Sequence, residues 1–213
     1  MGKKLPQPVT KEEFILLLDA AKKEREEHRK KRSGKLTRRG ERINQYIIAL
    51  ILGFGAGMRI SEIVGFKGKS KRKNKKTGEV IEKETIIPLL TSDRIENNMI
   101  RIIAGKGQKD RITLLPGKFF LNAGIKREDF KASLPLKVKR RSIQLYTEQL
   151  GKRVLNKTIS FHKLRHGFGS TLAGAGRPLH EIQMLMGHSR LDTTGIYLHA
   201  NPQTAIKGAE EVF

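Results

Sequence analysis

The sequence predicts an α+β fold, mainly α-helical with a small antiparallel β-sheet. Three observations predict it. Several long stretches repeat apolar residues at helical spacing behind cap-like residues, and together they cover most of the chain. Two shorter stretches, before and after residue 95, concentrate β-branched residues around glycine-containing turns. The length of 213 residues is enough to bury a core, and 37% apolar content is low but adequate for one.

The elements follow in order. Thr10 to about Arg32 reads as a helix: Thr10 and Glu13 form a capping box, and Phe14, Leu17, Leu18 and Ala21 give one apolar face. Its charged end, with His28, has no assigned role. A turn from Ser33 to Gly40 precedes a second helix, Glu41 to Phe54, apolar on most sides after Tyr46 and so expected at the centre. Gly53, Gly55 and Gly57 allow a tight turn before a short helix, Ile60 to Phe66, with Arg59 at its start. An arginine just after a buried helix needs an anionic partner, either a ligand or Glu62 three residues on.

Lys67 to Lys76 carries Lys67, Lys69, Lys71, Arg72, Lys73, Lys75 and Lys76. Such a run is usually a solvated loop, and in a protein this basic it is also a candidate phosphate-contacting loop. Thr77-Gly78 reads as a turn and Glu79 to Leu90 as β-rich, so residues 67–88 form a candidate basic hairpin arm. Met99 to Ala104 and Arg111 to Leu115 read as strands around the turn that bears Lys106 and Lys109. Pro116 to Lys139 is irregular apart from a short helix near Arg127 to Ala132. Ser142 to Leu155 is a helix with Ile143, Tyr146, Leu150 and Val154 on one face. Ser160 caps the next helix, whose stripe is Phe161, Leu164, Phe168 and Leu172 and which ends at Gly174 and Gly176. Pro178 opens a further helix with Leu179, Ile182, Leu185 and Met186 facing the core, stopped by Gly187. A last helical turn capped by Asp192 or Thr193 is expected to bear Tyr197, before a tail helix (201–213) with no evident core of its own.

Charge bounds the partner. Lys and Arg number 44 against 21 Asp and Glu, a net +23, which points to a polyanion. No apolar run approaches the ~20 residues that span a bilayer. The N-terminus has no apolar signal core, and Pro6 spoils a myristoylation match at Gly2. Double-stranded DNA is therefore preferred over a membrane surface, and a cytoplasmic or nucleoid-associated, non-secreted protein is expected. With no cysteine, disulfides, thiol catalysis and cysteine-ligated zinc are excluded.

Every histidine but His28 falls between Ser160 and Ala200. His162 and Arg165 are three apart and share a helix face, His188 follows Gly187, and Tyr197 lies beyond. Cations, imidazoles and a phenol in one stretch suit an anionic substrate. His162 and His166, four apart, suggest a metal pair, but the zinc-protease pattern wants Glu where Lys163 stands, and no metal or other cofactor is expected.

In order, the set is Arg59, Lys106, His162, Arg165, His188 and Tyr197. With the phrases GAGMRISEIVGF, IRIIAGKGQKDRITLLP, SFHKLRHGFGST and LMGHSRLDTTGIYLHA, it resembles the catalytic domain of the tyrosine recombinases, the phage-integrase and Xer family. The resemblance implies that fold, and DNA strand cleavage and rejoining without metal or ATP. It makes Tyr197 the nucleophile of a 3′-phosphotyrosyl link. Arg59 and Arg165 would clamp the phosphate, His188 would donate to it, and His162 would take the nucleophile's proton. Lys106 would protonate the departing 5′-oxygen, with Lys109 its rival for that role and otherwise a DNA contact. It further implies work as a tetramer on two duplexes, with C-terminal segments docked on neighbours. The family pattern fills residues 1–213 as one catalytic domain, so the family's separate N-terminal domain is expected to be absent or removed. A type IB topoisomerase-like strand transferase and a non-catalytic DNA-binding module are the alternatives.

Overall fold

The computed structural model describes residues 8–30, 33–73, 80–103, 110–187 and 202–213. Helix α1 (Lys11–Glu27) begins where the capping box places it: Thr10 Oγ1 accepts from Glu13 N and Glu13 Oε2 accepts from Thr10 N, both at 3.2 Å. Phe14, Leu17, Leu18 and Ala21 are all buried. The helix stops at Glu27 and not at Arg32, because the chain reverses there. Arg29 bridges Leu36, and Thr37 N donates back to His28 O at 2.9 Å. Thr37 then caps α2 (Arg38–Gly55), whose start is earlier than the apolar run indicates; Thr37 Oγ1 accepts from Gly40 N.

Helix α2 is the centre of the core. From Tyr46 to Gly55 every residue is buried, which explains why its sequence is apolar on all sides. Around it pack α1, the short α3 (Ile60–Val64), α4 (Gly117–Asn122), α6 (Arg140–Leu155) and α7 (Phe161–Gly174). Helix α4 lies in a stretch expected to be irregular; it is short, and it forms because Phe119 and Phe120 anchor it in the core. Helix α5 (Arg127–Ala132) is where the sequence places it, and α6 starts two residues earlier than expected. Ser160 occupies the cap position of α7 but its side chain makes no capping hydrogen bond.

Strands β1 (Phe66–Lys73) and β2 (Val80–Ile87) form an antiparallel hairpin. The basic run is thus a strand through Lys73, correcting the loop reading. The register sets Lys69 against Glu84, and Lys67 Nζ lies 3.7 Å from the same carboxylate, so Glu84 offsets part of the repulsion between these two lysines. A second sheet has the order β3–β4–β5: Ile95–Glu96, Met99–Ile102 and Arg111–Leu114. Within this sheet β3, two residues long, was not legible as a strand.

Helix α8 (Leu179–Met186) buries Ile182, Leu185 and Met186, whereas Leu179, expected inward, is 67% exposed. It ends at Gly187, whose φ of +62° is the left-handed conformation of a helix stop. The tail helix α9 (Pro202–Val212) is not without a core. Ala205, Ile206, Ala209 and Phe213 are buried against the chain itself. The Phe213 ring stacks on Phe168 at 5.2 Å and meets Phe54 and Phe119 edge-on at 5.9 and 6.0 Å. Among the described residues no helix is long and apolar enough to cross a membrane.

Candidate active site

The turn after α2 builds the first wall of the site. Gly57 has φ +59°, and a Cβ there would lie 2.5 Å from Phe168 Cδ1; only glycine lets the turn pass so close to α7. The turn delivers Arg59 to the start of α3. The second wall is the first turns of α7. Arg59, His162 and Arg165 line one cleft of about 470 Å³, with Ser61, Arg140, Arg141, Gln144, Thr158 and Ser160 also on its lining. Two segments more than a hundred residues apart thus converge on one opening, as the sequence reading requires of these three residues.

Arg165 is 2% exposed. Its Nη1 donates to Gly57 O and its Nη2 to Met186 O. Among the described residues these carbonyls are its hydrogen-bond partners, and no carboxylate pairs with it. Burial pulls its guanidinium down to about 9, and Arg59 and Arg111 nearby push the same way. It remains cationic at neutral pH.

Arg59 sits between both readings offered for it. Its Nη1 donates to Glu62 Oε1 at 2.8 Å and its backbone N to Glu62 Oε2 at 2.7 Å, so the structural pair exists. Its side chain is still 19% exposed and reaches the cleft. Nη2 contacts Gly187 O at 3.4 Å, which ties the turn to the end of α8.

Glu62 is shared with a residue that the sequence reading did not single out. Arg111, first in β5, donates from Nη1 and Nη2 to the two Glu62 oxygens, each at 2.7 Å, and from Nε to Leu185 O at 3.0 Å. Burial alone would raise the Glu62 carboxyl. The Arg111 hydrogen bonds and charge, with those of Arg59, overcome it and hold the group at about 2. No local sequence signal marks Arg111; its partner is 49 residues away. Arg59, Arg111 and Arg165 therefore face one carboxylate, and the cluster carries excess positive charge beside an open cleft.

His162 is exposed on the cleft lining, and its ring meets that of His166 edge-on at 4.4 Å. His166 is also exposed. Among the described residues no group of three or more His, Asp or Glu is placed to hold a metal ion. Lys106, Lys109, His188, Tyr197, Lys75 and Lys76 lie outside the described residues. Lys67 and Lys69 are exposed on β1, with Lys67 Nζ 3.7 Å from Glu84; Lys71, Arg72 and Lys73 continue that strand.

Comparison with known proteins gives the family and the fold. A family model described as "Phage integrase family" matches residues 9–204, and the chain belongs to the phage integrase family. Tyrosine recombinase XerC of Mannheimia succiniciproducens is 31% identical over 216 residues, covering 95% of this chain and 59% of its own length. Tyrosine recombinase XerA of Thermococcus onnurineus is 27% identical over 181 residues, 77% of this chain and 54% of that protein. The chain spans little more than half the length of these relatives. Among solved structures, the integrase from mycobacterium phage Brujita superposes over 100% of this chain and 60% of its own, with TM-score 0.56 and 18% identity. The XerA recombinase crystal structure covers 97% of this chain and 64% of its own, with TM-score 0.55 and 20% identity. These likenesses show the fold, the α+β catalytic-domain architecture expected from the sequence.

Proposed function

We propose that the chain is the catalytic domain of a site-specific DNA recombinase or integrase that cuts and rejoins strands through a 3′-phosphotyrosyl intermediate. The observation that carries this is Arg165. A cation 2% exposed, held by two carbonyls and paired with no described carboxylate, is costly to bury unless an anion joins it. It shares its cleft with Arg59 and His162, and a phosphodiester supplies the missing charge. Family membership and the similarity to named tyrosine recombinases support the same reading.

The chemistry then runs as follows. Arg59 and Arg165 take the non-bridging phosphate oxygens, the fork geometry suiting two oxygens better than a lysine would. His162 accepts the proton of the Tyr197 phenol as its oxygen bonds to phosphorus. His188 adds a hydrogen bond to the phosphate. The bond to the 5′-oxygen breaks, and Lys106 gives that oxygen its proton. One phosphodiester replaces another, so rejoining needs no external energy. The basic strand from Lys67, and Lys109, hold flanking backbone phosphates.

Assembly as a tetramer on DNA is part of the proposal. Because α9 covers its own chain's aromatic cluster, docking of that helix on a neighbour requires it to leave the Phe168 face first. Incubation with a nicked suicide duplex is expected to give a covalent protein–DNA adduct, and Tyr197→Phe to abolish it. An undiminished adduct in that variant sinks the assignment.

A further inference from the structure

We propose that Arg111 is a positioning residue that keeps Arg59 available to the DNA phosphate, acting through Glu62; this rests on the strand-cleavage reading above. Arg111 does not line the cleft. Its side chain is 6% exposed, and its guanidinium is spent inward, on both Glu62 oxygens and on Leu185 O. A buried bidentate pair of this kind is a weak source of stability, because desolvating both ions offsets most of their attraction. Its consequence for the neighbour is larger.

Arg59 has two competing anions: the Glu62 carboxylate three residues away and the phosphate in the cleft. A carboxylate with both oxygens free takes a guanidinium in the fork geometry, fixing it and cancelling its charge. Arg111 prevents that. It occupies Oε1 and Oε2 at 2.7 Å each, and the Arg59 backbone N takes a further position on Oε2 at 2.7 Å. Arg59 is left a single side-chain bond to this carboxylate, Nη1 to Oε1 at 2.8 Å, while its Nη2 turns to Gly187 O at 3.4 Å. The charge count agrees. Arg59, Arg165 and Glu62 alone leave one net positive charge for the phosphate, and Arg111 restores a second.

Arg111 also fixes the far side of the site. Nε holds Leu185 O at 3.0 Å, and a Cβ on Gly187 would fall 2.6 Å from Arg111 Cδ. Its stem is the floor on which α8 ends, at the residue before His188. One side chain thus ties together the Arg59 turn, strand β5 and the end of α8.

The test uses the 213-residue chain and a nicked suicide duplex, measuring the single-turnover rate of adduct formation, DNA affinity and thermal stability. Arg111→Gln is expected to slow adduct formation at least about tenfold while DNA affinity stays within about threefold, the signature of lost transition-state stabilisation. The deciding variant is the double, Arg111→Gln with Glu62→Gln. Removing the carboxylate frees Arg59, so the double is expected to react faster than Arg111→Gln alone, by roughly tenfold, a coupling that independent sites do not show. A purely structural role predicts that any recovered rate follows recovered thermal stability, since the second change also removes a buried carboxylate that the first left half-paired; the positioning role predicts the faster reaction at equal melting temperature. If Arg111→Gln does not fold, Arg111→Lys, one charge unable to bridge both oxygens, takes its place in the same cycle. Wild-type speed in the single variant, or no relief in the double, overturns the proposal. Absence of any adduct from the wild-type chain overturns the cleavage reading and this proposal with it, a result distinct from either of those.

Discussion

Substituting Gly57 by alanine is expected to damage both the fold and the site, and the structure separates the two contributions. Gly57 has φ +59°, where an L-residue is strained by about 1–2 kcal/mol. The new methyl would also sit 2.5 Å from Phe168 Cδ1. Phe168 is 0% exposed and lies under the Phe213 ring, so it cannot swing away without lifting α9. Overpacking a rigid core costs about 1–3 kcal/mol. The sum, roughly 2–5 kcal/mol, is a large share of the ~5–15 kcal/mol that holds a domain folded. It corresponds to a fall in Tm of roughly 4–20 °C for a chain of this size. Gly34 is the control: φ is +63° and a Cβ there meets nothing within 4 Å, so Gly34→Ala carries only the backbone part. Thermal or urea melts of the two variants give the Phe168 contribution by difference, expected at about 1–3 kcal/mol. Gly57 O also accepts from Arg165 Nη1, so Gly57→Ala is expected to slow adduct formation more than Gly34→Ala does. Equal melts for the two variants refute the packing argument. Normal cleavage by a folded Gly57→Ala protein refutes the claim that this carbonyl holds Arg165.

Three further outcomes are expected. The Glu62 carboxyl is held at about 2 against an ordinary 4.5, so its stabilisation is complete above pH ~4.5 and is lost as pH falls towards 2. That is on the order of 3 kcal/mol, and melts across this window should show a slope that Glu62→Gln lacks. Phe213→Ala removes a ring 5% exposed from the Phe54–Phe119–Phe168 cluster, for a loss on the order of 3 kcal/mol. An unchanged melt means that α9 is not docked on its own chain. Lys67→Ala and Lys69→Ala should each weaken DNA binding across sequences and lower the salt slope by about 1; slopes equal to wild type, measured by titration at several salt concentrations, remove β1 from the DNA surface.

Much of the fold was legible because local rules agreed with tertiary ones. The capping box at Thr10, the all-apolar run after Tyr46 and the glycine at 187 each fixed a helix boundary or a burial pattern that the structure repeats. The misreadings share a cause. Leu179 belongs to an apolar set by spacing, but α8 turns it to the surface, where it is 67% exposed. The lysine run looks like a loop until β2 pairs with it, since a strand's stability comes from its partner. The tail looked unpartnered because its core is Phe168, Phe54 and Phe119, far earlier in the chain.

By itself, the sequence determined most of the helices, the excess of positive charge and an ordered set of candidate site residues, because these depend on residue type and short spacing. The tertiary structure decided how that charge is arranged. It showed that Arg165 is buried against two carbonyls, that Arg59 donates one side-chain hydrogen bond to Glu62, and that Arg111 comes from strand β5 to share that carboxylate. Such couplings join residues with no spacing rule between them, and they exist only once the core has brought the segments together.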